Sequence, residues 1–177
     1  MGNSLFLMIN MQAPHVFEAT PEQLDAYIEL VEEAAAWLWA RGVHQWRPGE
    51  YRSARPELLA KLQSGVLILA TSSEALAGGC LLTGIAPLCW PDTPDDALYL
   101  SGLVVARWAA GQDLGGRILD EALAAVRRRG KARLRLDCWE GNEFLKAYYR
   151  ERDFRDLGRA QEEDYWVRLF EKMSAPE

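Results

Sequence analysis

The residues best able to do chemistry in this chain lie between Leu98 and Phe154. A turn there reads Gly111-Gln112-Asp113-Leu114-Gly115-Gly116, between an apolar run and an amphipathic one. The first amides of a helix have no intrahelical partner, and the helix dipole favours negative charge beside them. Glycines let a ligand approach the backbone closely. Such a turn can hold an anion, a diphosphate being the natural size. Glycine at a strand–helix turn also serves purely conformational ends, so the turn alone does not decide. G-x-G-x-x-G and G-x-x-x-x-G-K-[ST] are both absent, which sets aside a Rossmann dinucleotide and a P-loop nucleotide.

Downstream of the turn stand Asp137, Asn142 and the adjacent pair Tyr148 and Tyr149. Tyr149 is a candidate proton donor, with a packed aromatic as the plainer reading. No general base is legible: Asp137, or Ser101 and Tyr99 acting through water, are candidates beside ordinary exposed or capping roles. Cys80, Cys89 and Cys138 make no CxxC pair and show no metal spacing. His15 and His44 are too few and too far apart for a histidine-based site, so no metal is expected.

The elements that must position these residues follow from periodicity and punctuation. A strand is expected over 15–19, then a helix opened by Thr20, Pro21 and Gln23 as a capping box. Leu24, Ile28, Val31, Ala35 and Leu38 continue that helix, and Gly42 stops it. The spacing predicts a loop over 43–53, a short helix over 56–63, and a hairpin of 66–70 with 76–83. A loop over 86–96 leads to a central strand over 97–105, apolar on both faces. A helix over 112–129, a strand over 133–138, a helix over 142–152 and an antiparallel pair, 154–157 with 165–170, complete the chain. The order β α α β β β α β α β β implies a mixed α/β domain on one sheet, with a parallel crossover at its centre.

The chain has 177 residues, 49% hydrophobic and 26% charged, which suits one globular domain over 15–177. Residues 1–14 are expected to be a loose leader; their apolar run is too short to span a bilayer and lacks a basic flank. A net charge of −6 argues against a phosphate-tracking surface, so no nucleic acid and no membrane partner are expected. The basic run at 127–131 reads as a helix C-terminus offsetting its dipole. Three cysteines without a secretory signal suit the cytoplasm.

Taken together, Ala110-Gly111-Gln112-Asp113-Leu114-Gly115 after the central strand, then Asn142, Tyr149 and Phe154, resemble the GNAT acyltransferase family. That family carries [RQ]-x-x-G-x-[GA] at the turn, then an Asn, an aromatic helix ending in Tyr, and Gly-Phe. The resemblance implies a single GNAT-like α/β (α+β mixed) domain: a mixed six- to seven-stranded sheet, about four helices, and two parallel central strands that splay into a cleft. It implies acetyl-CoA as cofactor, its pantetheine against the backbone of Leu103, Val104 and Val105. The diphosphate would lie at Ala110, Gly111, Gln112, Asp113, Leu114, Gly115 and Gly116. Asn142 would hold the pantetheine arm, Tyr149 would protonate the departing thiolate, and an amide near Val104 or Val105 would polarise the carbonyl.

The acceptor pocket would draw on the first two helices, their loop and the segment before the central strand. Trp37, Trp39, Gln45, Trp46 and Trp90 are its candidates, with Tyr99, Ser101, Asp137 and His44 nearby. Aromatic walls and net acidity suit a cationic amine, small molecule or peptide. The implied reaction is acetyl transfer from CoA to a primary amine; a homodimer is left open. Three positions depart from the family pattern: Ala110 replaces Arg or Gln, Asp113 replaces the first loop glycine, and Asp153 replaces the glycine before Phe154. A carboxylate at 113 would oppose a diphosphate unless it faces solvent or pairs with Arg107 or Arg117. The alternative reading is therefore a GNAT-fold ligand-binding or sensor protein with weakened catalysis.

Overall fold

Consecutive glycines in the third strand, Gly78 and Gly79, show how the layers are stacked. The computed structural model describes residues 14–174; of the expected leader, only Pro14 is among them. Neighbouring strand residues point to opposite faces. A Cβ on Gly78 would lie 2.9 Å from Ile118, while one on Gly79 would lie 3.2 Å from Tyr27. Ile118 belongs to helix α4 (Leu114–Arg128) and Tyr27 to helix α1 (Leu24–Trp39). The sheet is thus packed between α1 and α4, close enough that β3 tolerates no side chain at either position.

The sheet has seven strands: β1 His15–Ala19, β2 Val66–Ser72, β3 Ala75–Thr83, β4 Ala97–Val105, β5 Arg133–Trp139, β6 Arg155–Glu162 and β7 Tyr165–Met173. Their spatial order is β1-β2-β3-β4-β5-β7-β6, antiparallel throughout except β4 beside β5. That parallel pair, joined through α4, runs only from Ala97↔Arg133 to Leu100↔Leu136. Beyond it β4 continues against β3 as far as Val105, and β5 against β7 as far as Trp139. The two central strands therefore splay, as the family resemblance implied.

A bulge marks the splay. β4 carries one extra residue against Gly79 and Leu81 of β3, and Gly102 takes φ +62° there. The Tyr27 hydroxyl, on a fully buried side chain of α1, donates to the Gly102 carbonyl at 2.9 Å. An added Cβ on Gly102 would collide with that hydroxyl.

The remaining helices are α2 (Glu50–Ser53), α3 (Arg55–Leu62) and α5 (Glu143–Arg150). Five α-helices among the described residues exceed the expected four, because α2 lies inside the segment expected to be loop. Four residues carry no readable period, and the stimulus for this turn comes from elsewhere. Glu32 of α1, only 4% exposed, accepts from the amides of Gly49 and Arg52 at 2.5 and 3.1 Å and so caps the helix start from outside.

Candidate active site

Where β4 and β5 part, a cleft of about 560 Å³ opens. Leu100, Ser101, Gly102 and Leu103 form one wall, Asp137 and Trp139 the other, and Tyr149 and Leu145 of α5 the end. The 43–53 segment and the turn between β6 and β7 close over the mouth, joined by an ion pair from Arg47 to Asp164 at 3.2 Å. Over 101–105, β4 pairs with β3 alone, so the backbone groups facing β5 have no strand partner.

The turn at 111–116 leads into α4 with its amides free. Arg117 N makes the first return bond, to Asp113 O at 3.2 Å; the amides of 112–116 have no partner among the described residues. Asp113 adopts φ +50°, the left-handed conformation that a glycine would favour and aspartate tolerates. Its carboxylate turns back over Gly116, where a Cβ would stand 2.7 Å from Oδ1, and pairs with Arg152 just past the end of α5. The partner is neither Arg107 nor Arg117, the two the sequence offered. Arg107 stacks on Trp37 instead, its guanidinium 4.6 Å from the ring centroid. Arg152 also lies over the Tyr148 ring at 3.7 Å, so one guanidinium fixes both Asp113 and Tyr148. Asp153, the third departure, likewise has positive φ, +60°.

Asn142 caps α5, its Oδ1 accepting from Leu145 N at 3.0 Å while its Nδ2 donates to Gln45 Oε1 at 3.3 Å. Gln45 Oε1 also accepts from Trp139 N at 3.2 Å. The Asn142 side chain, in a residue only 9% exposed, is thus committed to protein groups. What it positions is Tyr149, seven residues along, whose ring packs on Phe154 and Phe170 and borders the cleft. Burial holds the Tyr149 phenol well above its usual pKa, so it stays protonated at neutral pH.

Asp137 faces Tyr149 across the same cleft. Burial, and then the negative charge of Glu162, raise its carboxyl to about 7. No hydrogen bond among the described residues reaches it. Strand alternation puts Arg135 on the same face, and Arg135 draws the 86–96 loop over the sheet. Its guanidinium donates to Asp92 at 3.0–3.2 Å and to Glu171 at 2.8 Å, and lies 4.6 Å from the Trp90 ring.

Three residues expected in the acceptor pocket lie outside it. Trp90 and Tyr99 pack edge-on against each other in a second small core with Cys89 and Val167, under the 86–96 loop. Tyr99 precedes the splay, where β5 still covers β4. Trp37 is held between Arg41 and Arg107 away from the cleft, at 4.1 and 4.6 Å. Gln45, Trp46, Ser101 and Asp137 do line the cleft, as do Trp39 and His44. His44 stacks on Trp39 at 4.3 Å and faces Trp139 at 5.7 Å. Sequence reading missed Tyr51, Trp139, Glu162 and Tyr165, which also line it. Tyr51 sits on the short helix that carries no periodic signal, and the other three sit at strand ends whose approach to the cleft is a matter of sheet order.

Against known families, residues 30–154 match the model described as the acetyltransferase (GNAT) family. The chain belongs to the GNAT acetyltransferase family. It is 30% identical over 160 residues to the uncharacterized N-acetyltransferase YesJ of Bacillus subtilis, covering 87% of each chain. Its fold is similar to that of the PaiA N-acetyltransferase from Thermoplasma acidophilum in complex with coenzyme A: TM-score 0.69, 18% identity, 92% of this chain and 99% of that one. It is also similar to yncA, an acetyltransferase from Salmonella typhimurium with its cofactor acetyl-CoA: TM-score 0.68, 13% identity, 95% and 96% coverage.

Three features of the structure bear on an extended, phosphorylated ligand. The unpaired edge of β4 offers backbone partners to an extended amide-bearing arm. The free amides before α4 offer partners to a diphosphate. The Asp113 carboxylate, which would oppose that anion, is paired with Arg152. Among the described residues no helix is long and apolar enough to cross a membrane.

Proposed function

We propose that this GNAT enzyme transfers the acetyl group of acetyl-CoA directly to a cationic primary amine of a small molecule or peptide, with Asp137 as general base and Tyr149 as general acid. The observation that carries the reading is the pairing, within one cleft, of a carboxyl tuned to about 7 and a phenol held protonated. A carboxyl that titrates near neutrality and a phenol that stays protonated can serve at one pH as the base and the acid of a proton-moving reaction.

Acetyl-CoA, when bound, supplies an acetyl thioester. Leu103, Val104 and Val105 would align its arm through the free edge of β4, and the amides of 111–116 would take its phosphates. Asp137 removes a proton from the incoming ammonium, leaving the nitrogen nucleophilic. A main-chain amide near the bulge, at Val104 or Val105, polarises the carbonyl oxygen. Tyr149 delivers its proton to the leaving sulfur. The alternative of a binding protein without catalysis rested on an uncompensated Asp113; its pairing with Arg152 favours the enzyme reading.

Thiol release from acetyl-CoA, followed across a panel of primary amines, tests the reading. Amine-dependent release that Asp137→Asn abolishes is expected. A protein that binds CoA but releases no thiol with any amine would return the sensor reading to favour.

A further inference from the structure

The acceptor side of the cleft carries more negative charge than a single amine can answer. The lysine and the arginine on its lining are already engaged: Lys61 with Glu57 at 2.6 Å and Arg47 with Asp164 at 3.2 Å. Glu50, Asp137, Glu162 and Glu163 also line the cleft, and none of the four makes an ion pair among the described residues. Glu50 and Glu162 accept only backbone amides, of Arg47 at 3.1 Å and Cys89 at 2.8 Å. These carboxylates converge on two phenols. Burial raises both phenols most; Glu162, Asp137, Glu50 and Glu163 then add to the rise of Tyr165, and Glu50 and Asp137 to that of Tyr51. Like charges gathered in a partly enclosed cleft repel one another, and they focus the field on whatever cation enters.

A reacting amine cannot neutralise this set. It gives its proton to Asp137 before attack and ends as an uncharged amide, so it answers Asp137 alone. Glu50, Glu162 and Glu163 call for a charge that stays on the acceptor throughout. Tyr51, Tyr165 and Trp46 line the same cleft, aromatic residues of a kind that suits an alkyl chain and an ammonium.

We propose that the acceptor is a linear alkyl diamine or longer oligoamine, one terminal amine reacting at Asp137 and a second, unreacted ammonium held by Glu162, Glu163 and Glu50. The inference rests on the acetyl-transfer reading above and specifies its acceptor. The bond changes are those of that reaction: the C–N bond forms as the C–S bond breaks. The ammonium gives one proton to Asp137 before attack; its nitrogen loses a second as the tetrahedral adduct collapses, and that proton, passed through solvent, replaces the one Tyr149 gives to sulfur. The distal ammonium is unchanged in the product.

A matched set of five-carbon acceptors tests it: 1,5-diaminopentane, 1-aminopentane and 5-aminopentanoate, each assayed with saturating acetyl-CoA on the full chain. The diamine is expected to exceed the monoamine at least tenfold in kcat/KM, and the amino acid is expected to be poorest. In the Glu162→Gln/Glu163→Gln double variant the diamine-to-monoamine ratio should fall to within threefold. The side-chain amide introduced at position 162 keeps an acceptor for Cys89 N, and a melting curve confirms that the variant is folded. Equal or better use of the monoamine overturns the proposal, as does an unchanged ratio in the variant. Calorimetric titration of CoA separates the two levels of inference. CoA binding without turnover of any of the three overturns the diamine acceptor alone, while failure to bind CoA overturns the acetyl-transfer reading beneath it.

Discussion

The raised carboxyl of Asp137 makes the stability of the fold depend on pH. Its folded pKa, about 7, lies above the ordinary value of about 3.9. The folded protein therefore keeps a proton that the unfolded chain has released between about pH 4 and pH 7, and stability declines across that window. Above pH 7 the buried charge costs about 1–3 kcal/mol, the pKa difference discounted for water in the cleft. Asp137→Asn is neutral at every pH. It should raise the melting temperature by about 2–12 °C at pH 8 and leave it unchanged near pH 4. The same change should lower kcat/KM by about 10²–10⁴ and remove an activity rise that in the parent levels off near pH 7. Thermal melts and rate profiles at matched pH values check both. Tyr149→Phe should lower kcat about 10- to 100-fold with CoA affinity unchanged, as titration of CoA would show. The Asp113–Arg152 pair gives a third test. Arg152→Ala frees a carboxylate beside the free amides of α4 and should weaken CoA binding about tenfold, and Asp113→Asn in that background should restore it. These roles were unevenly legible in the sequence. Tyr149 could be singled out by spacing. The proton affinity of Asp137 could not, since it depends on burial in the folded cleft and on the charge of Glu162, 25 residues away in sequence. Arg152 gives no signal at all, because only the fold brings residue 152 to residue 113.

At the level of elements, periodicity placed every strand and the four longer helices, with shifts of one or two residues at most ends and longer extensions of β6 and β7. It failed at α2, whose cause is the carboxylate of Glu32, and at the aromatics. Tyr99 and Ser101 share a face of β4, but only Ser101 lies beyond the point where β5 departs. Residue type does not say on which side of that point a side chain falls. The bulge at Gly102 sets the point, so it should be the most sensitive glycine of the sheet. Alanine there would carry a side chain at φ +62° and drive its Cβ into the Tyr27 hydroxyl. Gly102→Ala is expected to cost about 2–4 kcal/mol, a fall of roughly 4–16 °C in melting temperature. Tyr27→Phe should cost about 1–3 kcal/mol, because the Gly102 carbonyl loses its donor in a buried setting. Calorimetric melts of the two variants give the comparison, and a Gly102→Ala protein as stable as the parent would show that the bulge does not fix the splay.

Across the whole molecule, charge of the two signs is set apart. The chain carries −6 overall, yet its free helix amides and Arg152 face the turn at 111–116, while unpaired carboxylates gather at the acceptor side. Composition alone could say that a cationic partner was favoured; it could not say that the acidity is concentrated in one cleft. Steering by such a field acts over roughly a Debye length, about 10 Å at 0.1 M salt and about 3 Å at 1 M. The kcat/KM for a cationic acceptor, at saturating acetyl-CoA, should therefore fall about three- to tenfold as salt rises from roughly 0.05 to 0.5 M. An acceptor with two ammonium groups should fall more steeply than one with a single group, because each charge contributes to the attraction. Melting temperature should change little over the same range, since most ion pairs of this protein are exposed and individually weak. A flat salt profile for both amines would mean that the cleft's carboxylates act on the acceptor only after it is seated.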